Sequence, residues 1–239
     1  MRLHFGHRQD YGNYMSVLIY IVSGLIISVA ASVINLMFLS QFQGRKAAAI
    51  GIRDYYFTKK KSIIFILALL ASGLGGFLGK CYGSGLFDVL SKILMMNVLS
   101  FLGWIDFKKE IVPNSFLKRF LIVAVIWTLI KLAADFVSGN FFAGSIASPL
   151  LGVAVMFIPM FLSYLISHGG VGAGDVKLLA IVGGVLGFRS SYLLLMTAFI
   201  VAAVFSVVQM LRKKMTMKSY MPFVPFLAIA MGLMVILGI

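Results

Sequence analysis

Acidic residues are scarce: seven Asp and Glu stand against 21 Lys and Arg among 239 residues, and charged residues of both signs make up only 12%. An ordinary soluble domain is about a quarter charged and about half apolar. Here 61% of the positions are apolar, which excludes a water-soluble fold. Cysteine is reduced to Cys81, so an internal disulfide and a multi-cysteine zinc site are both excluded, and the single thiol reads as a small packed apolar residue. Long polar stretches are missing too. The longest between apolar runs covers residues 41–61, too little for a soluble domain.

What is present is a series of apolar segments, at about 15–40, 62–79, 86–105, 116–137, 146–167, 176–188, 190–211 and 220–239. Most have the length that crosses a hydrocarbon core of about 30 Å at 1.5 Å per helical residue. The expectation is an all-α, polytopic transmembrane bundle of about eight spans. The sixth segment is short, reaching only about 20 Å, and starts below the membrane surface. The first run is too long for the apolar part of a signal peptide and is read as a retained span. Residues 1–61 then form an N-terminal segment, first span and basic loop, and residues 62–239 the membrane core.

The net charge of +14 does not call for nucleic acid, because cytoplasmic loops of membrane proteins collect Lys and Arg. The loops after the first, third, fifth and seventh segments carry fifteen basic residues. The opposite side carries four: Arg2, Arg8, Lys80 and Arg189. This asymmetry puts the N-terminus outside and the richer loops in the cytoplasm.

With so few acids, each can be weighed. Asp10 and Asp54 lie in polar segments and read as solvated or ion-paired. Asp88 and Asp135 stand within a helical turn of Lys92 and Lys131 and read as buried ion-pair partners. Asp106 and Asp175 differ. Asp106 closes the third segment, Asp175 opens the sixth behind Gly172-Ala173-Gly174, and two crossings between them return the chain to the same face. Two carboxyl groups sharing one proton can hydrolyse a peptide bond without metal or cofactor: one takes a proton from water, the other donates to the carbonyl oxygen. The positive end of a helix at Asp175 and the negative end at Asp106 suggest Asp175 as the base and Asp106 as the acid. Glycines 169, 170, 172 and 174 permit positive φ or close approach of another backbone, though a plain flexible turn would look the same. Gly183, Gly184 and Gly187 read as helix-packing positions. Lys177 either neutralises Asp175 or anchors its helix at the headgroups, and His168 reads as a hydrogen-bonded interfacial residue. A proton- or cation-coupled transporter using the same acid pair is the alternative from another class.

Three stretches resemble the type IV prepilin peptidase family of GxGD aspartyl proteases. Asp106-Phe-Lys-Lys-Glu-Ile-Val-Pro113-Asn114 is similar to the family's Asp followed by Pro-Asn. Gly172-Ala-Gly174-Asp175-Val-Lys177-Leu-Leu-Ala180 is similar to its Gly-x-Gly-Asp-x-Lys-Leu-Leu-Ala. Pro222-Phe-Val-Pro225-Phe-Leu227 is similar to its Pro-Phe-Gly-Pro-Phe-Leu, with Val224 where the family has glycine. The resemblance covers about residues 86–239 and is loose before them, around Val33-Ile-Asn35. It implies Asp106 and Asp175 as catalytic residues, with Gly172, Gly174, Lys177, Pro113, Asn114, Pro222 and Pro225 as supporting motif positions. It further implies a site open to the cytoplasm of the cell membrane, and type IV pilin or pseudopilin precursors with short basic leaders as partners. Larger members carry two Cys-x-x-Cys pairs in the loop after the first span, associated with N-methylation. Residues 41–61 here hold no cysteine, so the expectation is peptidase activity without methyl transfer.

Overall fold

The computed structural model describes residues 5–42, 59–82, 85–109, 114–139, 143–166, 172–212 and 222–239. Among these the fold is all-helical: α1 (Phe5–Phe42), α2 (Lys59–Cys81), α3 (Leu86–Lys109), α4 (Asn114–Val137), α5 (Ala143–Ile166), α6 (Ala173–Leu211) and α7 (Val224–Leu237). Five of these seven helices (α1, α3, α4, α5 and α6) contain stretches long and apolar enough to cross a membrane. Their surface agrees with a lipid environment. Leu121, Ile122, Val125, Ile126, Leu129 and Ile130 on α4 are all exposed, a continuous apolar face that a water-soluble monomer does not carry. The chain is a multi-pass membrane protein.

The chain packs as two compact units, residues 1–98 with 235–238, and residues 99–234 with 239. In the first, α1 and α2 cross where glycines let the backbones meet. A methyl group added at Gly24 would lie 3.1 Å from the Ser72 carbonyl oxygen, and one at Gly76 would lie 2.5 Å from that of Tyr20. A buried polar cluster joins three helices: the Ser28 hydroxyl donates to Asn97 Oδ1 at 3.1 Å, and Asn97 Nδ2 donates to Ser72 Oγ at 3.3 Å and to the Ile93 carbonyl at 2.9 Å. Where no water reaches, side-chain amides and hydroxyls satisfy one another in this way.

In the second unit, α5 and α6 pack through backbone contact at Gly152 and Gly183, where a Cβ on either glycine would collide with the other's carbonyl oxygen. Gly183 is therefore the packing position expected. Gly187 is something else. Its φ of 75° and ψ of 177° break α6 in its interior, in a region essentially reserved for glycine. The hydroxyl of Ser191 donates to the Gly183 carbonyl at 3.2 Å, although eight residues of unbroken helix are about 12 Å apart along the axis. Ser148 of α5 closes the turn by accepting the Phe188 N–H at 3.2 Å. Two segments expected as separate spans, 176–188 and 190–211, thus fall in one helix with a glycine break near the expected boundary. Among the described residues, seven helices, five of them span-length and apolar, stand where about eight spans were expected.

Two smaller expectations fail. Cys81 is exposed at the end of α2, not packed. Asp88 is exposed in the first turn of α3 and Asp135 is only half-buried, so neither carboxyl is buried as expected.

Candidate functional site

Asp106 sits one turn from the end of α3 and is buried, with 4% of its surface exposed. It lies three residues beyond the apolar stretch Leu86–Gly103. Its Oδ2 accepts a long hydrogen bond, 3.3 Å, from the backbone N–H of Val224, the first residue of α7. The reasoning from α3 alone, that the negative end of its own helix disfavours the Asp106 anion, is therefore incomplete. The carboxyl is met by the amino end of another helix, which favours negative charge.

Asp175 stands at the third helical position of α6. Gly172 is the N-cap, with φ −72° and ψ 134°, and its carbonyl accepts the Asp175 N–H at 3.0 Å and the Val176 N–H at 3.4 Å. The Asp175 carboxyl in turn takes the backbone N–H of Gly172. This is the returning half of a capping box, in which an acid at the third position satisfies the donor at the cap. The glycine at 172 is not there for an unusual backbone angle, since its φ and ψ suit any residue. It lies close under the acid: a Cβ on it would sit 3.4 Å from Asp175 Oδ2.

The two carboxyl groups are near enough for the charge of Asp106 to act on Asp175. Of the other motif residues, Gly174 is half-buried in the first turn of α6, while Lys177 and Asn114 are exposed. Pro222 and Pro225 are half-buried. Pro113 and His168 lie outside the described residues. Pro225 falls in the first turn of α7, where a missing N–H costs no helical bond.

Sequence reasoning missed Gly103. It shares a helix face with Asp106 three residues on, and a methyl group there would lie 3.1 Å from Pro225 Cα. The spacing from Asp106 was a usable signal, but only the fold reveals which backbone comes close. A cavity of about 270 Å³ between α4, α5 and α6, lined by residues such as Leu121, Pro149, Val153 and Ile181, contains neither acid and has no chemistry of its own.

Fold and site together define a helical membrane protein that brings two acids, 69 residues apart in sequence, within electrostatic reach at helix ends. The profile of the type IV leader peptidase family matches residues 93–207, a stretch that includes both acids. The chain is also 24% identical over 187 residues to the prepilin leader peptidase/N-methyltransferase of Bacillus subtilis (strain 168), covering 78% of this chain and 68% of the relative. It is 29% identical over 144 residues to the protein of the same name from Aeromonas salmonicida (strain A449), covering 59% of this chain and 47% of that relative. It thus spans about half the length of the second relative and about two thirds of the first. No solved structure matches the chain. Residues 93–207 thus carry the profile of the type IV leader peptidase family, and the relatives named above are prepilin leader peptidases by name.

Proposed function

We propose that the protein is an intramembrane aspartic endopeptidase that cuts the basic leader from type IV prepilin-like precursors at the cytoplasmic membrane face, without N-methylating the product. The observation that carries this reading is the mutual influence of Asp106 and Asp175 in a chain that carries the leader peptidase profile. Two neighbouring carboxyls cannot both ionise readily and so share one proton. The ionised member takes a proton from a water whose oxygen attacks the scissile carbonyl carbon, and the protonated member gives its proton to the carbonyl oxygen. Collapse of the resulting diol breaks the C–N bond. A proton passes to the leaving amine, and the shared proton is restored. Both acids have helix amino ends against them, so helix dipoles do not assign the first proton. The pair acts as a unit.

The break at Gly187 supports counting α6 as two crossings within an eight-span topology, and the excess of Lys and Arg in alternate loops supports a cytoplasmic site. The absence of cysteine from residues 41–61 supports peptidase activity alone, although both relatives bear a double name. The test is incubation of the purified protein with a prepilin-like peptide and a methyl donor. The expected result is leader release, lost in both Asp106→Asn and Asp175→Asn, with no methyl group on the new amino terminus. Full cleavage by both variants would end the peptidase proposal, and a methylated product would end its second half.

A further inference from the structure

The third motif, Pro222 to Leu227, has no obvious chemistry in its side chains, yet it meets Asp106 through its backbone. The Phe223 carbonyl accepts the Phe226 N–H at 3.1 Å and the Leu227 N–H at 3.3 Å, so Phe223 caps α7 and Val224 is its first helical residue. The first N–H groups of a helix have no partner within it. In this turn Phe226 points back to the cap and Pro225 has no N–H, which leaves the Val224 N–H as the donor directed at Asp106 Oδ2. The approach depends on Gly103, where a Cβ would stand 3.1 Å from Pro225 Cα and 3.3 Å from its nitrogen. A side chain there would require the start of α7 to give way by a few tenths of an ångström.

We infer that the backbone N–H of Val224, brought in by the Gly103–Pro225 contact, is a positioning group for the Asp106 carboxyl. The inference rests on the reading of Asp106 as one of the two catalytic acids. An aspartate carboxyl turns broadly about its last torsion, and a hydrogen bond to one oxygen fixes that rotation and so the direction in which the other oxygen faces. The Val224 side chain is fully buried and packs the turn in place. The motif's two prolines and the two residues between them thus act through one N–H, which explains how valine can stand where the family has glycine.

The test replaces the amide N–H at Val224 by an ester oxygen, through incorporation of the hydroxy-acid analogue of valine, and repeats the change at Met231 in the middle of α7. Misplacement of a reacting group by about 1 Å costs on the order of 100-fold. The expected result is a kcat lower by roughly 10- to 100-fold for the Val224 ester with KM changed less than about two-fold, and a Met231 ester that keeps its kcat. Gly103→Ala, read in the same assay, is expected to lower kcat in the same direction with KM preserved, and serves if the ester protein does not fold. Unchanged kcat in the Val224 ester, or an equal loss in both esters, overturns the inference. An inactive Asp106→Asn beside a fully active Val224 ester overturns it while leaving the peptidase reading intact. A fully active Asp106→Asn overturns both.

Discussion

Replacing Gly187 by alanine distinguishes a broken α6 from a continuous one by the sign of the effect. In an unbroken helix the change stabilises by about 0.5–1 kcal/mol, because glycine loses more conformational freedom on folding. At the observed φ of 75° and ψ of 177° a side chain is strained by about 1–3 kcal/mol. The added methyl would also stand 2.5 Å from Ser148 Oγ, forcing apart the bond that Ser148 accepts from Phe188 at 3.2 Å, a further loss of about 1 kcal/mol. Gly187→Ala is therefore expected to destabilise by roughly 2–4 kcal/mol.

The assay is reversible unfolding of the purified protein in mixed micelles, with Ser148→Ala and the double variant beside it. Removing Oγ relieves the collision but not the backbone strain, so the double variant should cost less than the sum of the singles, a coupling that a double-mutant cycle measures directly. A Gly187→Ala protein as stable as the parent, or more so, would refute the break and with it the support for two crossings in α6.

Other substitutions follow from the same packing. Gly152→Ala and Gly183→Ala should each destabilise by about 1–3 kcal/mol without rescuing one another, since each methyl would meet backbone. Gly184→Ala, whose methyl meets only Val153 Cγ2 at 3.3 Å, should cost less in the same unfolding assay. Asn97→Ala should lower stability by about 1–2 kcal/mol, as two interhelical bonds of the modest strength usual in membranes are lost; no change on unfolding would show the cluster to be dispensable. Gly172→Ala should fold with stability within about 0.5 kcal/mol of the parent, because its backbone angles are ordinary. A large loss of stability there would mean that the α6 cap is wrongly described.

That Asp175 comes within the electrostatic reach of Asp106 was legible in the sequence because acids are so few and because two apolar segments between them would return the chain to the same side. The apolar runs likewise located the helices, but the short sixth segment, read as starting below the membrane surface, gave no sign of the break at Gly187. The nature of that irregularity was not legible. A glycine at a helix crossing and a glycine at a left-handed turn look alike until the backbone angle is known. Cys81 and Asp88 were misjudged for a related reason: residue type gives an average burial, whereas these two stand at helix ends, where the average does not apply. Gly103 went unnoticed because its role is set by Pro225, 122 positions later.

The surroundings of Asp106 expose a feature of construction in this chain. Dipole reasoning from the acid's own helix considered α3, while the donor came from α7. Asp175 is held in a comparable way, by the N–H of Gly172 at the start of α6. At each acid one donor is thus main chain at a helix start, supplied beside glycine or proline. A basic side chain in that place would bind the carboxylate as an ion pair and oppose the proton sharing that the proposed hydrolysis needs, whereas an N–H orients the acid and adds no full charge. A small inventory of charged residues is therefore compatible with an acid pair, because peptide bonds can help to aim it. Positions where backbone must come close should accordingly be sensitive to substitution, Gly103 first among them.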